Sequence, residues 1–305
     1  MKYTVVLTAA FPAVAREILA GEFDVIEHAT EHGRTEEDMI TILAEADAAI
    51  TLLQDPVTRN VLASNPNLRI VSNFAVGYNN IDVDAARELG IAVTNTPGVL
   101  TEATADLTMA LLLAVTRRIV EGDDEIRTLA RCEWEPLKLL GASLQGKRLG
   151  IIGMGRIGTA VATRARAFGM EIVSVRRGES IDELLGSSDV VSIHAPLTRE
   201  THHLIDAAAL AKMKRGAYLI NTARGALVDE NALCDALESG QLRGAGLDVY
   251  EFEPEVNPRL LRMKNVVIVP HIGSATEEAR NAMAKIAATN VRRFLRGEKP
   301  LHQVI

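Results

Sequence analysis

Short runs of Val, Ile and Leu alternate with longer amphipathic segments along the chain, and this alternation leaves few folds open. Strands are expected at Tyr3–Thr8, Phe23–Ile26, Ala48–Leu53, Leu68–Ser72 and Ile91–Thr94. Helices are expected at Pro12–Ala20, at Glu36–Ala44, from Pro56, and between the last two strands. Strands joined by helical crossovers pair in parallel, and a parallel sheet must be covered by helices on its faces. The pattern breaks at Thr94-Asn95-Thr96-Pro97-Gly98, and one long helical segment is expected from about Thr101 to Ala130. A second alternation begins at Lys147, with strands at Arg148–Gly153, Glu171–Val175, Val190–Ile193, Ala217–Asn221, Gly244–Val249 and Val266–Val269. The last helical segment, Thr276 to Arg296, has no sheet left to complete and is expected to return to the first domain. The expected class is therefore α/β, with two doubly wound parallel-sheet domains: residues 1–98 with 276–305, and residues 99–275.

The 305 residues are 48% hydrophobic and 24% charged, enough to bury two cores, which excludes disorder as the default. A formal net charge of -7 provides no general basic field, so nucleic acid is not an expected partner. The apolar run at Tyr3–Thr8 is too short for a signal-peptide core or a membrane span, and so is Leu107–Val115; no membrane association is expected. Cys132 and Cys234 lie far apart without metal-ligand spacing. They read as buried or half-buried reduced thiols, which suits the cytoplasm, and no metal is expected.

The strand Arg148–Ile152 runs into Gly153-Met154-Gly155-Arg156-Ile157-Gly158 and then a helix through Ala160, Val161, Ala165 and Phe168. That context converts a weak glycine pattern into a dinucleotide-binding turn of Rossmann type. Gly153 permits the tight turn, Gly155 lets backbone amides approach a pyrophosphate, and Gly158 lets the helix pack on the strand. The helix N-terminus supplies free N–H donors and a partial positive charge. The next strand, Glu171–Val175, ends in Arg176-Arg177 with no carboxylate at its end. An acidic residue there would bond the adenosine ribose, whereas arginine accommodates a 2′-phosphate, so NADP(H) is expected in preference to NAD(H).

Three further segments follow strands of the second domain: Asn221-Thr222-Ala223-Arg224-Gly225, Asp248-Val249-Tyr250-Glu251-Phe252-Glu253-Pro254 and Pro270-His271-Ile272-Gly273. Ligands of open α/β sheets bind at such strand ends. Arg224 offers a planar fork for a substrate carboxylate and carbonyl oxygen. His271, with a reference pKa of about 6.5, can donate a proton to that oxygen as hydride arrives. Glu253 would orient the ring and stabilise its protonated form. The expected chemistry is hydride exchange with a small 2-keto or 2-hydroxy acid. His194 ends a strand before a cofactor-lining loop that includes Pro196, whereas His202 and His203 read as a solvated turn without a catalytic part.

With these residues assembled, the chain resembles the D-isomer-specific 2-hydroxyacid dehydrogenases, and within them the glyoxylate/hydroxypyruvate reductases. The resemblance covers nearly the whole chain. It rests on Val76-Gly77-Tyr78-Asn79-Asn80-Ile81-Asp82, Thr94-Asn95-Thr96-Pro97, Ala103-Thr104-Ala105-Asp106-Leu107, the glycine turn, His194-Ala195-Pro196-Leu197-Thr198, Asn221–Gly225 and Pro270–Ala275. It implies a Rossmann-type cofactor domain and a flavodoxin-like substrate domain, with Arg224, Glu253 and His271 in the catalytic places. It also implies backbone contacts from Val76 and Gly77 to the substrate carboxylate, a pocket wall at Leu52 or Leu53, and cofactor contacts at Thr104, Thr222, Ala223, Asp248 and Gly273. A homodimer using the helical region after residue 100 is implied as well. Two segments depart from the family pattern. The stretch from Arg177 to Ser188 is short, as though a strand or turn were missing beside the adenine, and Trp134–Leu140 lacks an aromatic-rich sequence. The alternatives left open are another dehydrogenase of the family (phosphoglycerate, D-lactate or 2-ketogluconate type) and a non-catalytic, dinucleotide-sensing corepressor.

Overall fold

The computed structural model describes residues 2–29, 33–176 and 178–305, which divide into two compact units, Met1–Leu100 with Ala275–Ile305, and Thr101–Ser274.

In the first unit, strands β1 (Thr4–Leu7), β2 (Asp24–Glu27), β3 (Ala48–Thr51), β4 (Ile70–Asn73) and β5 (Ala92–Thr94) form a parallel sheet in the order β2-β1-β3-β4-β5. This is the flavodoxin-like order, whose direction of winding reverses between β1 and β3. Helices α1 (Ala13–Leu19), α2 (Glu36–Leu43), α3 (Arg59–Ser64) and α4 (Val83–Leu89) make the crossovers. β3 and β4 are buried along their whole length, because helices cover both faces. Met39, Leu43, Val61, Leu62 and Ala85 close one face. The terminal helix α11 (Glu277–Leu295) lies against the sheet, where the Ser72 hydroxyl donates to the Ala287 carbonyl at 3.2 Å.

The second unit begins with α5 (Thr101–Thr116) and α6 (Ile119–Leu129), where the sequence suggested one helix. The break is at Arg118, which adopts φ 54 and pairs with Glu121 three residues on. Neither glycine nor proline marks it, so the side-chain pairing that supports the left-handed residue had no sequence signature. The remaining elements are β6 (Arg148–Ile152), α7 (Arg156–Ala167), β7 (Glu171–Val175), α8 (Asp182–Ser187), β8 (Val190–Ile193), α9 (Ala207–Lys212), β9 (Ala217–Asn221), α10 (Glu230–Glu238), β10 (Leu242–Leu247) and β11 (Val266–Ile268).

The six strands are parallel in the order β11-β10-β9-β8-β6-β7. Among the described residues no strand lies outside β7, so the sheet ends where a full Rossmann order would continue. The short stretch after β7 passes into α8 within a few residues and has no length for another strand. Leu149, Ile151, Val191 and Ile193 are fully buried in the central strands, each contributing about 1.5–3 kcal/mol. Winding reverses between β6 and β8, which places the open crevice at the Gly153 turn. No helix among the described residues is long and apolar enough to cross a membrane.

Candidate active site

Gly153 follows β6 at φ 97, and a Cβ there would come within 2.6 Å of the His194 carbonyl carbon and 2.7 Å of the Ala195 nitrogen. Both the backbone angle and the approach of the strand β8 exit therefore require glycine. A Cβ on Gly158 would meet the Gly153 oxygen at 2.2 Å, which is the close packing of helix on turn anticipated from the sequence. Gly155 is the N-cap of α7 with no side-chain cap, and a Cβ there would meet nothing within 4 Å. No side-chain cap therefore engages the first N–H groups of α7, and Met154 and Arg156 beside them are exposed. Such a terminus fits a pyrophosphate without further adjustment.

At the end of β7, Arg176 is exposed, and its N–H donates to Glu179 Oε2 at 2.8 Å. The strand end is therefore not without a carboxylate, because Glu179 is hydrogen-bonded to Arg176 through both its side chain and its own N–H, which donates to the Arg176 carbonyl at 3.1 Å. Arg177 lies outside the described residues. Further along, the exposed Pro196 accepts from the Thr201 hydroxyl at 2.8 Å. His194 Nε2 pairs with Ser192 Oγ at 2.8 Å, and burial pulls its ring down to about 4, so it is neutral near pH 7.

Three strand ends meet around Asp248. Its Oδ1 accepts from the Ile272 N–H at 2.6 Å and its Oδ2 from the Gly273 N–H at 2.8 Å. Burial pushes the carboxyl up to about 6 against the pull of these donors and of His271. The Gly273 carbonyl accepts from Thr104 Oγ1 at 3.0 Å, and Thr108 Oγ1 pairs with Thr222 Oγ1 at 2.9 Å. Asn221 shapes the neighbouring loop: Oδ1 accepts from the Ala223 N–H at 3.0 Å, and Nδ2 donates to the Arg224 carbonyl at 2.9 Å. The proposed nicotinamide-side contacts Thr104, Thr222, Ala223, Asp248 and Gly273 therefore share one hydrogen-bonded cluster.

Beside it, His271 Nδ1 lies 2.9 Å from Glu253 Oε2, and Glu253 Oε1 accepts from the Tyr250 N–H at 3.0 Å. The carboxylate makes Nδ1 the protonated nitrogen and leaves Nε2 for proton transfer. His271 adopts φ 52, a left-handed conformation unusual for a side-chain-bearing residue and supported by its N–H bond to the Val269 carbonyl at 3.1 Å. Burial works to raise the Glu253 carboxyl. The His271 hydrogen bond and charge, the Tyr250 amide and the Arg224 charge together hold it below the usual range. Arg224 Nη1 donates to the Ala223 carbonyl at 2.6 Å; burial lowers its pKa, and the Glu253 charge opposes that. The guanidinium stays charged at any ordinary pH.

In the first unit, Leu53, Val76 and Gly77 stand on the loops that follow β3 and β4. The Val76 carbonyl accepts from Asn95 Nδ2 at 2.8 Å and the Gly77 carbonyl from Asn73 Nδ2 at 2.8 Å. In a trans peptide the Gly77 N–H points away from the Val76 carbonyl, so Asn95 fixes the direction of that donor. Asn80 Nδ2 donates to the Leu52 carbonyl at 3.0 Å, tying the two loops together. Asn80 and Asn95 lie within the quoted motifs, whereas Asn73, at the end of β4, lies outside them, and nothing in the sequence marks any of the three as a site residue.

Residues 109–273 match the family described as D-isomer specific 2-hydroxyacid dehydrogenase, NAD binding domain. A glyoxylate reductase of Thermococcus litoralis is 51% identical over 273 residues, covering 84% of this chain and 82% of that protein. The chain belongs to the D-isomer-specific 2-hydroxyacid dehydrogenases. Among solved structures, a Thermus thermophilus protein superposes with TM-score 0.93 at 44% identity, covering 99% of this chain and 100% of that one. The NADPH-dependent glyoxylate/hydroxypyruvate reductase of Sinorhizobium meliloti, in complex with NADP and malonate, gives TM-score 0.88 at 31% identity, covering 100% and 97%.

The enzyme is thus an NAD(P)-dependent oxidoreductase acting on 2-keto and 2-hydroxy acids. Two further residues differ from what the sequence led us to expect. His203 is not on a purely solvated turn, because its Nε2 lies 2.6 Å from Glu251 Oε1. Cys132 is exposed rather than buried, since α6 and the chain after it have no buried face; Cys234 is buried as expected. No cluster of three metal-ligating side chains occurs among the described residues. A 380 Å³ cavity lined by Val115, Arg118, Tyr218 and Arg243 lies toward the opposite ends of the strands and has no part in this chemistry.

Proposed function

We propose that the enzyme reduces a small 2-keto acid, glyoxylate or hydroxypyruvate, to the D-2-hydroxy acid with NADPH. The observation that carries this reading is the His271 Nδ1 to Glu253 Oε2 pair at 2.9 Å, on a loop electrostatically coupled to Arg224. The dinucleotide, when bound, supplies the hydride. The turn Gly153–Gly158, with Met154, Arg156 and Ile157, holds the pyrophosphate through backbone N–H groups. Pro196 and the Thr104, Thr222, Ala223, Asp248 and Gly273 cluster line the rest of the dinucleotide. Arg224 binds the carboxylate and the carbonyl oxygen, using the donors not engaged by Ala223. His271 Nε2 gives its proton to the carbonyl oxygen, and Glu253 keeps the imidazolium oriented. In the first unit, Leu53 contacts the substrate, and the Val76 and Gly77 amides bind its carboxylate. A panel of 2-keto acids run with both cofactors should give the highest kcat/KM for glyoxylate or hydroxypyruvate. Failure to reduce any of them would overturn the reading.

The preference for NADPH is assigned to Arg176, together with Arg177, reading the 2′-phosphate. Glu179, bonded to the Arg176 amide, is the opposing charge at this strand end. Arg176→Asp is expected to lower the NADPH to NADH ratio of kcat/KM by about tenfold to a hundredfold, the worth of one charge-assisted hydrogen bond. An unchanged ratio would remove the role.

The helix α6 has no buried residue, and Ile119, Val120, Ile126 and Leu129 are exposed, followed by Trp134 at 84% and Leu137 at 81% exposed. A run of this kind is what a protein interface covers, and a second copy of the chain is its proposed occupant. Light scattering should report a dimer that Ile126→Asp shifts toward monomer; a monomeric wild type would contradict it. The exposed free Cys132 suits a reducing cytoplasm, where cell fractionation should find the enzyme.

A further inference from the structure

The loops that carry Arg224 and Glu253 are pressed together. A Cβ on Gly225 would come within 1.8 Å of the Tyr250 carbonyl carbon and oxygen, and 2.4 Å of the Glu251 nitrogen. Apposition this close leaves no side chain between the two backbones, so their relative register must be fixed from their flanks.

Three polar residues supply that fixing. The Glu251 N–H donates to Glu230 Oε1 at 2.7 Å, and the Glu230 N–H donates to Glu251 Oε2 at 3.1 Å. This reciprocal pair joins the first residue of α10, which follows the Arg224 segment, to the loop two residues ahead of Glu253. His203 adds a third arm: its ring reaches Glu251 Oε1 at 2.6 Å, and its N–H donates to the Ala226 carbonyl at 2.9 Å. Residue 203 thus binds the Arg224 segment by its backbone and the Glu253 loop by its side chain.

The cost of this arrangement argues against simple packing. Glu230 is 4% exposed and the Glu251 side chain 8% exposed, so two carboxylates are desolvated side by side. Burial pushes the Glu230 carboxyl up, and the Glu251 and Glu253 charges add to this against the backbone donors of Glu251 and Asn257. Apolar side chains of similar volume would fill the space at lower cost, whereas a satisfied polar network fixes one geometry.

We propose that Glu251, held by His203 and Glu230, is a positioning residue that sets the Glu253–His271 pair in register with Arg224. The proposal rests on the catalytic reading of that set. Its chemistry is unchanged; what the clasp supplies is alignment, and misplacement by about 1 Å can cost about a hundredfold in rate.

The test uses Glu251→Gln and His203→Ala in the full chain, with His203→Gln as the conservative variant. Expected are a kcat lowered about tenfold to a hundredfold in the first two, an unchanged KM for NADPH, and substantial recovery in His203→Gln, whose amide can still donate to Glu251. Carbon NMR of the Glu253 carboxyl provides a readout that needs no turnover. In both damaged variants its titration should move up, because it loses its partners. Removing the Glu251 charge alone would move it down. Unchanged kcat with unchanged Glu253 titration, or a downward shift in Glu251→Gln, overturns the proposal. Should Glu251→Gln fail to fold, His203→Ala, on a half-exposed turn, carries the test. A wild type that reduces no 2-keto acid would sink the functional reading, while the titration would still decide the clasp.

Discussion

Replacing His271 by alanine is expected to lower kcat for keto-acid reduction by about 10²–10⁴-fold, with the dissociation constant for NADPH essentially unchanged. The expectation follows from where the ring is tied. Nδ1 is held by Glu253 at 2.9 Å, leaving Nε2 as the acid, and the ring plays no part in the glycine turn that grips the pyrophosphate. Glu253→Gln tests the same pair through pH. Glutamine can still receive or make a hydrogen bond but carries no charge, so reduction should fall at neutral pH and the acid-side limb that belongs to the Glu253 carboxyl should disappear from the profile. In the wild type the sign on the acid side is set by Glu253. Its carboxyl is held below the usual range, so its ionised form contributes above that range and the contribution is lost as pH falls through the depressed value. Both pH–rate profiles, measured on kcat, check this. A His271→Ala enzyme with wild-type kcat would remove the acid role.

The second large effect is expected at Arg224. Arg224→Gln should reduce kcat/KM by about a hundredfold or more, since truncating one member of a buried charged arrangement costs about 2–5 kcal/mol. Arg224→Lys should rescue little of it. An ammonium has no planar fork for a carboxylate and carbonyl oxygen, and burial of the kind that already lowers the Arg224 pKa would discourage its charge. Steady-state kinetics with a 2-keto acid and with NADPH varied separately should place the loss on the keto acid. A loss confined to the NADPH KM would reassign Arg224 to the cofactor.

The central strands were legible because their residues are buried on both faces and so read as continuous apolar runs, as in Val190–Ile193 and Ala217–Asn221. The turn at Gly153 was legible because only glycine satisfies both its φ of 97 and the approach of residue 194. The meeting of His271 with Glu253 could be anticipated from two strand ends in one sheet, although its distance could not. Other features depend on side chains meeting across space. The helix break at Arg118 follows an ion pair with Glu121, and Glu179 returns to the end of β7 through a turn that its residue types do not announce. His203 looked solvated because its partner, Glu251, is 48 residues away. The shortness of the segment after Arg177 was visible, but that it leaves β7 as a sheet edge among the described residues is a property of the assembled sheet.

The role proposed for Arg224, Glu253 and His271 is to deliver a proton to a 2-keto acid as hydride arrives. Incubating the enzyme with hydroxypyruvate and NADPH, then resolving the product on a chiral column, tests it most directly. The expected product is D-glycerate in equal amount to the NADPH oxidised, with none formed by His271→Ala beyond a trace. An L product, or NADPH left intact in the presence of hydroxypyruvate and every other small 2-keto acid tried, would contradict it.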